Sequence, residues 1–256
     1  MIKIAMAKVA LLCLLAGCAS SDKLELLAGS GQEALVRDGA ASLISAKKNV
    51  VTLQAGDAEV ISGARPTFVV AIRNMQNANL QFRASEIKAT RALDDGTVTD
   101  LKVWGYDELV KEERTRQTWA AVGAALNGVS RSMNAANAGY SQTNGSFNAY
   151  NSYGGSAHGT YQSTTYNSYQ SYSAQQLANA QTSADFATIR AEGQNNLAAL
   201  KGSIIKNNTL MPGEWYGGTI VLDAPKKSKA GVTNYIVSVS VGGETHQFQV
   251  SQRKMK

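Results

Sequence analysis

The sequence predicts an α+β protein: an antiparallel β-sandwich with a long antiparallel helical hairpin inserted between two of its strands. Three observations carry this. Residues 32–106 and 212–256 are rich in β-branched residues and punctuated by turn signals. Residues 107–211 change texture to Ala-rich segments with apolar residues three and four apart. Each β-rich segment alone is short of strands for an independent fold, so the two are expected to make one domain across the insert. An immunoglobulin-like layout is one form such a sandwich could take.

The first β-rich segment is read strand by strand. Val50-Val51-Thr52-Leu53 is followed by the turn signal Gly56-Asp57, and Glu59-Val60-Ile61 by a second gap. Thr67 to Asn74 is the best strand here, β-branched and bounded by Pro66 and Asn74. Leu80, Phe82 and Ala84 alternate with Gln81 and Arg83, and Asp94-Asp95-Gly96 marks a tight turn. In the second segment, Thr219 to Leu222 is a strand. Tyr235, Val237, Val239 and Val241 then alternate with Ile236, Ser238 and Ser240, the pattern of a half-buried antiparallel strand. Gly242-Gly243 supplies a hairpin turn, and His246, Phe248 and Val250 share a phase on the returning strand.

Between them, Asp107 to Ala138 reads as a helix with Asp107 as N-cap and no proline. Its stripe includes Leu109, Trp119, Val122, Leu126, Val129 and Met133. Ser173 to about Asn207 reads as the second helix, with Leu177, Ala180, Ala184, Ile189, Leu197, Leu200 and Ile204 at helical spacing. Both are rich in small residues, which lets two helix backbones approach closely and pairs them as a hairpin. The tip, residues 139–172, is of low complexity. It holds seven of the ten tyrosines, and no Asp, Glu, Lys or Arg occurs from Ser132 to Ala184. Such composition buries too little apolar surface to offset chain entropy, and it reads first as a flexible loop. Tyrosine spaced among Ser, Asn and Gly is also what adaptable binding surfaces use. Tyr150, Tyr153, Tyr161, Tyr166 and Tyr169 are therefore the candidate binding residues.

The first 31 residues read differently. Lys3 and Lys8 precede an apolar run, Val9 to Leu15, much shorter than the ~20 residues of a membrane-spanning helix. A small-residue exit, Ala16-Gly17, leads to Cys18. Residues 1–17 thus read as a removable signal peptide. The segment Leu15-Ala16-Gly17-Cys18 resembles the lipobox of bacterial lipoprotein precursors. The resemblance covers the first 18 residues only. It implies cleavage before Cys18, diacylation of its sulfur and acylation of the new amino terminus. Ala19 follows Cys18 where an Asp would favour the inner membrane. The resemblance therefore implies an outer-membrane, periplasm-facing address, with residues 18–31 as a lipidated tether.

Chemistry is sparse. The only cysteines are Cys13 and Cys18, so the remainder offers no disulfide, thiolate metal site or cysteine nucleophile. His158 and His246 have no partner at metal-ligand spacing, and His246 reads as a hydrogen-bonded core residue. No G-x-S-x-G occurs, and Asp94-Asp95 and Glu112-Glu113 are adjacent pairs that point apart. No cofactor, metal or catalytic residue is expected. Trp119 and Trp215-Tyr216 read as core anchors before ligand platforms. The net charge of +6 falls to +4 without Lys3 and Lys8; its dense runs, Lys226–Lys229 and Arg253–Lys256, read as a solvated loop and tail. Nucleic acid is not an expected partner. The expectation is a non-enzymatic envelope lipoprotein with a structural or assembly role, contacting the membrane through its lipid and another envelope protein or a second copy of itself. The alternative is a glycan- or peptidoglycan-binding module working through the Tyr-rich tip.

Overall fold

The computed structural model describes residues 20–37, 40–92, 96–150, 156–224 and 231–255. Cys18 and the whole of 1–17 lie outside them, as do Asp94, Asp95, Tyr153 and the Lys226–Lys229 run. The chain divides into two compact units, one of residues 1–109 with 200–256 and one of 110–199.

The first unit is a sandwich of two six-stranded antiparallel sheets. Its strands are β1 Ser21–Leu27, β2 Gln32–Arg37, β3 Ala40–Ala46, β4 Val50–Ala55, β5 Glu59–Ile61, β6 Thr67–Arg73 and β7 Leu80–Phe82. They continue as β8 Ile87–Ala92, β9 Val98–Leu101 and β10 Val103–Trp104. One sheet runs β5-β1 and then four further strands, ending β8-β9; its middle is the hairpin of β15 Val232–Val241 and β16 Glu244–Lys254. The facing sheet runs β10, then β14 Trp215–Leu222, then β6-β4-β3-β2. A short β13, Asn208–Leu210, pairs with β7. Among the described residues the two sheets hold twelve strands, more than the seven to nine of an immunoglobulin sandwich, so that likeness stops at the two-sheet layout.

Alternation builds the core. Phe68, Val70 and Ile72 of β6 point inward from one sheet; Tyr235, Val237, Val239 and Val241 of β15, with Phe248 and Val250 of β16, point inward from the other. The rings of Phe68 and Tyr235 meet edge to face across the layer, 6.1 Å between centroids. The β15–β16 turn needs positive φ at both central residues, and Gly242 (59°) and Gly243 (78°) supply it.

Two expectations are corrected here. Of the segment 18–31 expected as a tether, the described residues 20–31 are not free chain. Ser21–Leu27 is a strand, paired with β16 over Asp22–Lys254 to Leu27–Gln249 and with β5 on its other side. Leu24 is buried in the core, Leu26 packs against it, and buried Asp22 accepts a 2.9 Å hydrogen bond from Nε2 of Gln252. The Arg253–Lys256 run is solvent-exposed at Arg253, Lys254 and Met255, as expected, but it is not a free tail. Arg253 and Lys254 belong to β16, and the Met255 amide donates to the Ser21 carbonyl at 2.9 Å. In both cases a partner more than two hundred residues away converts a locally weak segment into strand.

The second unit is the helical hairpin. Helix α1 spans Tyr106–Asn137 and α2 spans Ser168–Ser203, the first residues of α1 and the last of α2 belonging to the sandwich unit. No helix among the described residues is long and apolar enough to cross a membrane. The segment expected to be a loop forms an antiparallel ribbon of β11 Tyr140–Tyr150 and β12 Ser156–Tyr166, in register from Tyr140–Tyr166 to Tyr150–Ser156. Gly145 stands opposite Tyr161, whose ring lies where a side chain on residue 145 would be. Helix α2 accordingly begins five residues before Ser173.

Candidate functional site

Within the hairpin the two helices meet through small and polar side chains. Ala124, Ala135 and Ala178 are buried, Gly128 lies against Thr182, and Gly193 lies against the side chain of Gln117. Arg131 and Asp185 form an ion pair at 2.6 Å. Glu113 accepts hydrogen bonds from Arg116, Gln117 and Asn196. The Arg116 contact, aided by the two amides, holds its carboxyl down to about 2 against the cost of burial.

Leu109 at the start of α1 is buried, but this packing leaves the large apolar residues further along α1 outside. Trp119 is 70% exposed, Val122 44%, Leu126 67%, Val129 59% and Met133 64%. They are spaced three and four apart; Trp119, Val122 and Leu126 face away from α2, while Val129 and Met133 also line an open groove with Thr182, Ser183 and Phe186 of α2. The core-anchor expectation for Trp119 is thus corrected: the seam between the helices is too narrow for a large ring, and Ala and Gly occupy it. Trp215 is likewise half exposed, 5.8 Å beneath the Arg73 guanidinium. Tyr216 does act as an anchor: its hydroxyl accepts from the Lys206 amide and donates to the Lys206 carbonyl, both at 3.0 Å, while its ring packs beside Phe82.

The candidate tyrosines do not converge. Tyr161 lies mid-ribbon over Gly145; Tyr166 meets Tyr140 at the ribbon's base with the rings tilted 45° and 4.7 Å between centroids; Tyr169 stands exposed in the first turn of α2. Tyr150 has its backbone in β11, its side chain outside the described set, and Tyr153 lies outside altogether.

In the sandwich, sequence reading missed a buried polar chain. His246 is fully buried and Ser45 is 4% exposed; Nδ1 of His246 lies 2.9 Å from the Ser45 hydroxyl and Nε2 lies 3.2 Å from Glu244 Oε1. Glu244 also accepts the Lys48 and Asn49 amides and the Asn49 side chain. Burial lowers the His246 pKa below its ordinary value, outweighing the nearby carboxylate. Burial pushes Glu244 the other way, but its donors together bring it below the usual carboxylate range. A neutral imidazole donating from Nε2 to Glu244 and accepting from Ser45 satisfies every contact. The network ties the β15–β16 hairpin to the β3–β4 turn across the two sheets.

Trp104 was also missed. Its ring has the Lys102 ammonium and the Arg65 guanidinium each 3.8 Å from its centroid, and Lys102 pairs with Glu108 at 2.8 Å. It lines an open cleft of about 540 Å³ together with Lys88, Asp100 and Glu108. Among the described residues no cluster of three His, Cys, Asp or Glu could hold a metal ion. No family model, no curated protein and no solved structure matches the chain.

Proposed function

We propose that this protein is a lipid-anchored, non-enzymatic component of the bacterial cell envelope, held at the outer membrane through Cys18 and working by assembly with other envelope protein. The observation that carries the assembly reading is the exposure of Trp119, Leu126, Val129 and Met133 along one helix. Soluble monomers seldom leave a contiguous apolar stripe of that kind in water, and such patches mark interaction surfaces. The anchor reading rests on Leu15-Ala16-Gly17-Cys18. With β1 beginning at Ser21, three residues after Cys18, the lipid would join the sandwich through about 10 Å of chain.

Cell fractionation with intact-mass analysis tests the anchor. Wild type should carry the mass of its acyl chains and sediment with outer membrane, and Cys18→Ala should lose both properties. A soluble, unacylated wild type would overturn the anchor.

The second reading is a glycan-binding module, favoured by the exposure of Tyr161, Tyr166 and Tyr169. Peptidoglycan pull-down by the Tyr161→Ala/Tyr169→Ala variant tests it. Binding by wild type that the variant loses supports the module; equal binding, or none by wild type, removes it.

A further inference from the structure

We infer that the helical hairpin associates side by side with copies of itself, α1 of one copy packing on α2 of the next. This deepens the assembly reading above and names the partner as a second copy of this chain. Four features of the hairpin support it.

The first is the bulky outer stripe of α1. Trp119, Val122, Leu126, Val129 and Met133 follow the three–four spacing of a coiled-coil seam over ~21 Å of helix. Between Arg116 and Arg131 the helix carries no charged residue, and Arg131, which falls between Val129 and Met133 in sequence, is ion-paired with Asp185 of α2. Together they expose on the order of 600 Å², the upper end of the largest apolar patch on an ordinary monomer. A standard interface covers roughly 800 Å² on each partner, so this stripe with its flanking residues is of the right size.

The second is the outer face of α2. Ala180, Ala184, Ala187 and Ala191 are exposed, on the side opposite buried Ala178 and the α1 contacts, and repeat the same spacing. Leu177 extends the row toward the ribbon and is exposed too.

The third is the level of the two stripes. The facing pairs Gln117 with Gly193 and Gly128 with Thr182 fix the relative height of the helices. Counting in opposite directions from them puts Trp119 level with Ala191, Val122 with Ala187, Leu126 with Ala184, Val129 with Ala180 and Met133 with Leu177. Four of the five bulky residues on one side of the hairpin thus have an alanine at the same height on the other. Rotating a copy about an axis parallel to the hairpin, without a rise, sets each large side chain over its small counterpart. Such a contact uses two different surfaces, so it propagates: it closes into a ring or continues as an array.

The fourth is the ribbon. An isolated two-stranded ribbon is marginal in water and leaves both backbone edges open. The same side-by-side placement brings β12 of one copy beside β11 of the next, in antiparallel sense, and pairs both edges.

Engineered cysteines test this in the full chain, whose own two cysteines lie at positions 13 and 18. Leu126 and Ala184 stand on opposite outer faces of one hairpin, so a disulfide between Leu126→Cys and Ala184→Cys must join two molecules. Oxidation of the double variant in the native envelope should give a ladder of covalent multimers on non-reducing gels. Each single variant should give at least tenfold less product, and Leu126→Cys with Ala198→Cys, on the same face but about 21 Å further along α2, should give none. Dimers alone from Leu126→Cys would mean an isologous α1–α1 contact and overturn the proposal. So would absence of any ladder, or equal yield from the out-of-register pair. Light scattering in mild detergent adds a second check: wild type should run as an oligomer and Leu126→Glu as a monomer with unchanged helical circular dichroism. The ladder should persist in a Cys18→Ala background, so loss of the anchor and loss of the contact are read separately.

Discussion

The hydroxyl of Ser45 lies 2.9 Å from Nδ1 of His246, joining β3 of one sheet to β16 of the other inside the protein. Because His246 is fully buried, protonating its ring would place a charge where no water reaches. Burial therefore lowers its pKa in the folded chain, against Glu244, which favours the charged form. The unfolded chain takes up the proton near pH 6.5. At lower pH the unfolded state binds more protons than the folded one, so stability present above that value is lost as pH falls through it toward the folded pKa. Urea unfolding at pH 7.5 and 5.5 should give a lower midpoint at 5.5. His246→Gln should flatten that difference; an unchanged pH dependence in the variant would assign it elsewhere.

Glu244 serves four donors at once. Its oxygens accept the Lys48 amide at 3.0 Å and the Asn49 amide at 2.7 Å, beside the Asn49 and His246 side chains. Removing the carboxylate strands donors in and beside a turn that β16 otherwise covers. Glu244→Ala should cost about 1–3 kcal/mol in chemical denaturation. A loss below about 0.5 kcal/mol would mean that water serves those amides equally well.

This network also marks the limit of what the sequence disclosed. The His246–Phe248–Val250 phase placed His246 among core residues, and the Gly242-Gly243 signal placed the turn beside it. Neither could reveal Ser45, two hundred positions earlier. Local patterns carried the fold wherever they were strong: alternation in 235–241, β-branched run in 67–73, helical spacing in 107–138. They failed where pairing is remote, as with Ser21–Leu27 on β16, or where composition is nearly featureless, as in β11 and β12. For the candidate site, the spacing of Trp119, Val122, Leu126, Val129 and Met133 was legible, but its direction was not. A stripe announces one apolar face; only the packing of Gly128 on Thr182 shows that a different face of α1 turns inward.

Tyr235 offers a separable test of ring and hydroxyl. Its ring closes the core against Phe68, while its hydroxyl has no hydrogen-bond partner among the described residues and burial pushes its pKa upward. Tyr235→Phe keeps the ring and should lie within about 1 kcal/mol of wild type or above it. Phe68→Ala removes the opposing ring and should cost about 3–5 kcal/mol. A Tyr235→Phe loss as large as that of Phe68→Ala would show that the hydroxyl is bonded.

Two glycines should respond to the same substitution with opposite signs. Gly218 sits within β14, where the chain leaving α2 passes so closely that a Cβ would lie 2.8 Å from the Ile205 nitrogen and 2.9 Å from the Ser203 oxygen. Those neighbours are backbone, and the Ile205 amide is itself bonded to the Thr219 carbonyl at 3.0 Å, so they cannot swing aside as a side chain could. Gly218→Ala should therefore destabilise by roughly 1–3 kcal/mol, the cost of forcing a methyl into a packed interior. Gly123 lies in the interior of α1 with nothing within 4 Å of an added Cβ. There the main effect is the backbone freedom that glycine retains when unfolded, and Gly123→Ala should stabilise the helix by about 0.5–1 kcal/mol. Thermal unfolding followed by circular dichroism reads both. If Gly218→Ala were neutral, the close passage of Ile205 would have to relax without cost. That would remove the reason for a glycine in the middle of a strand that otherwise favours β-branched residues.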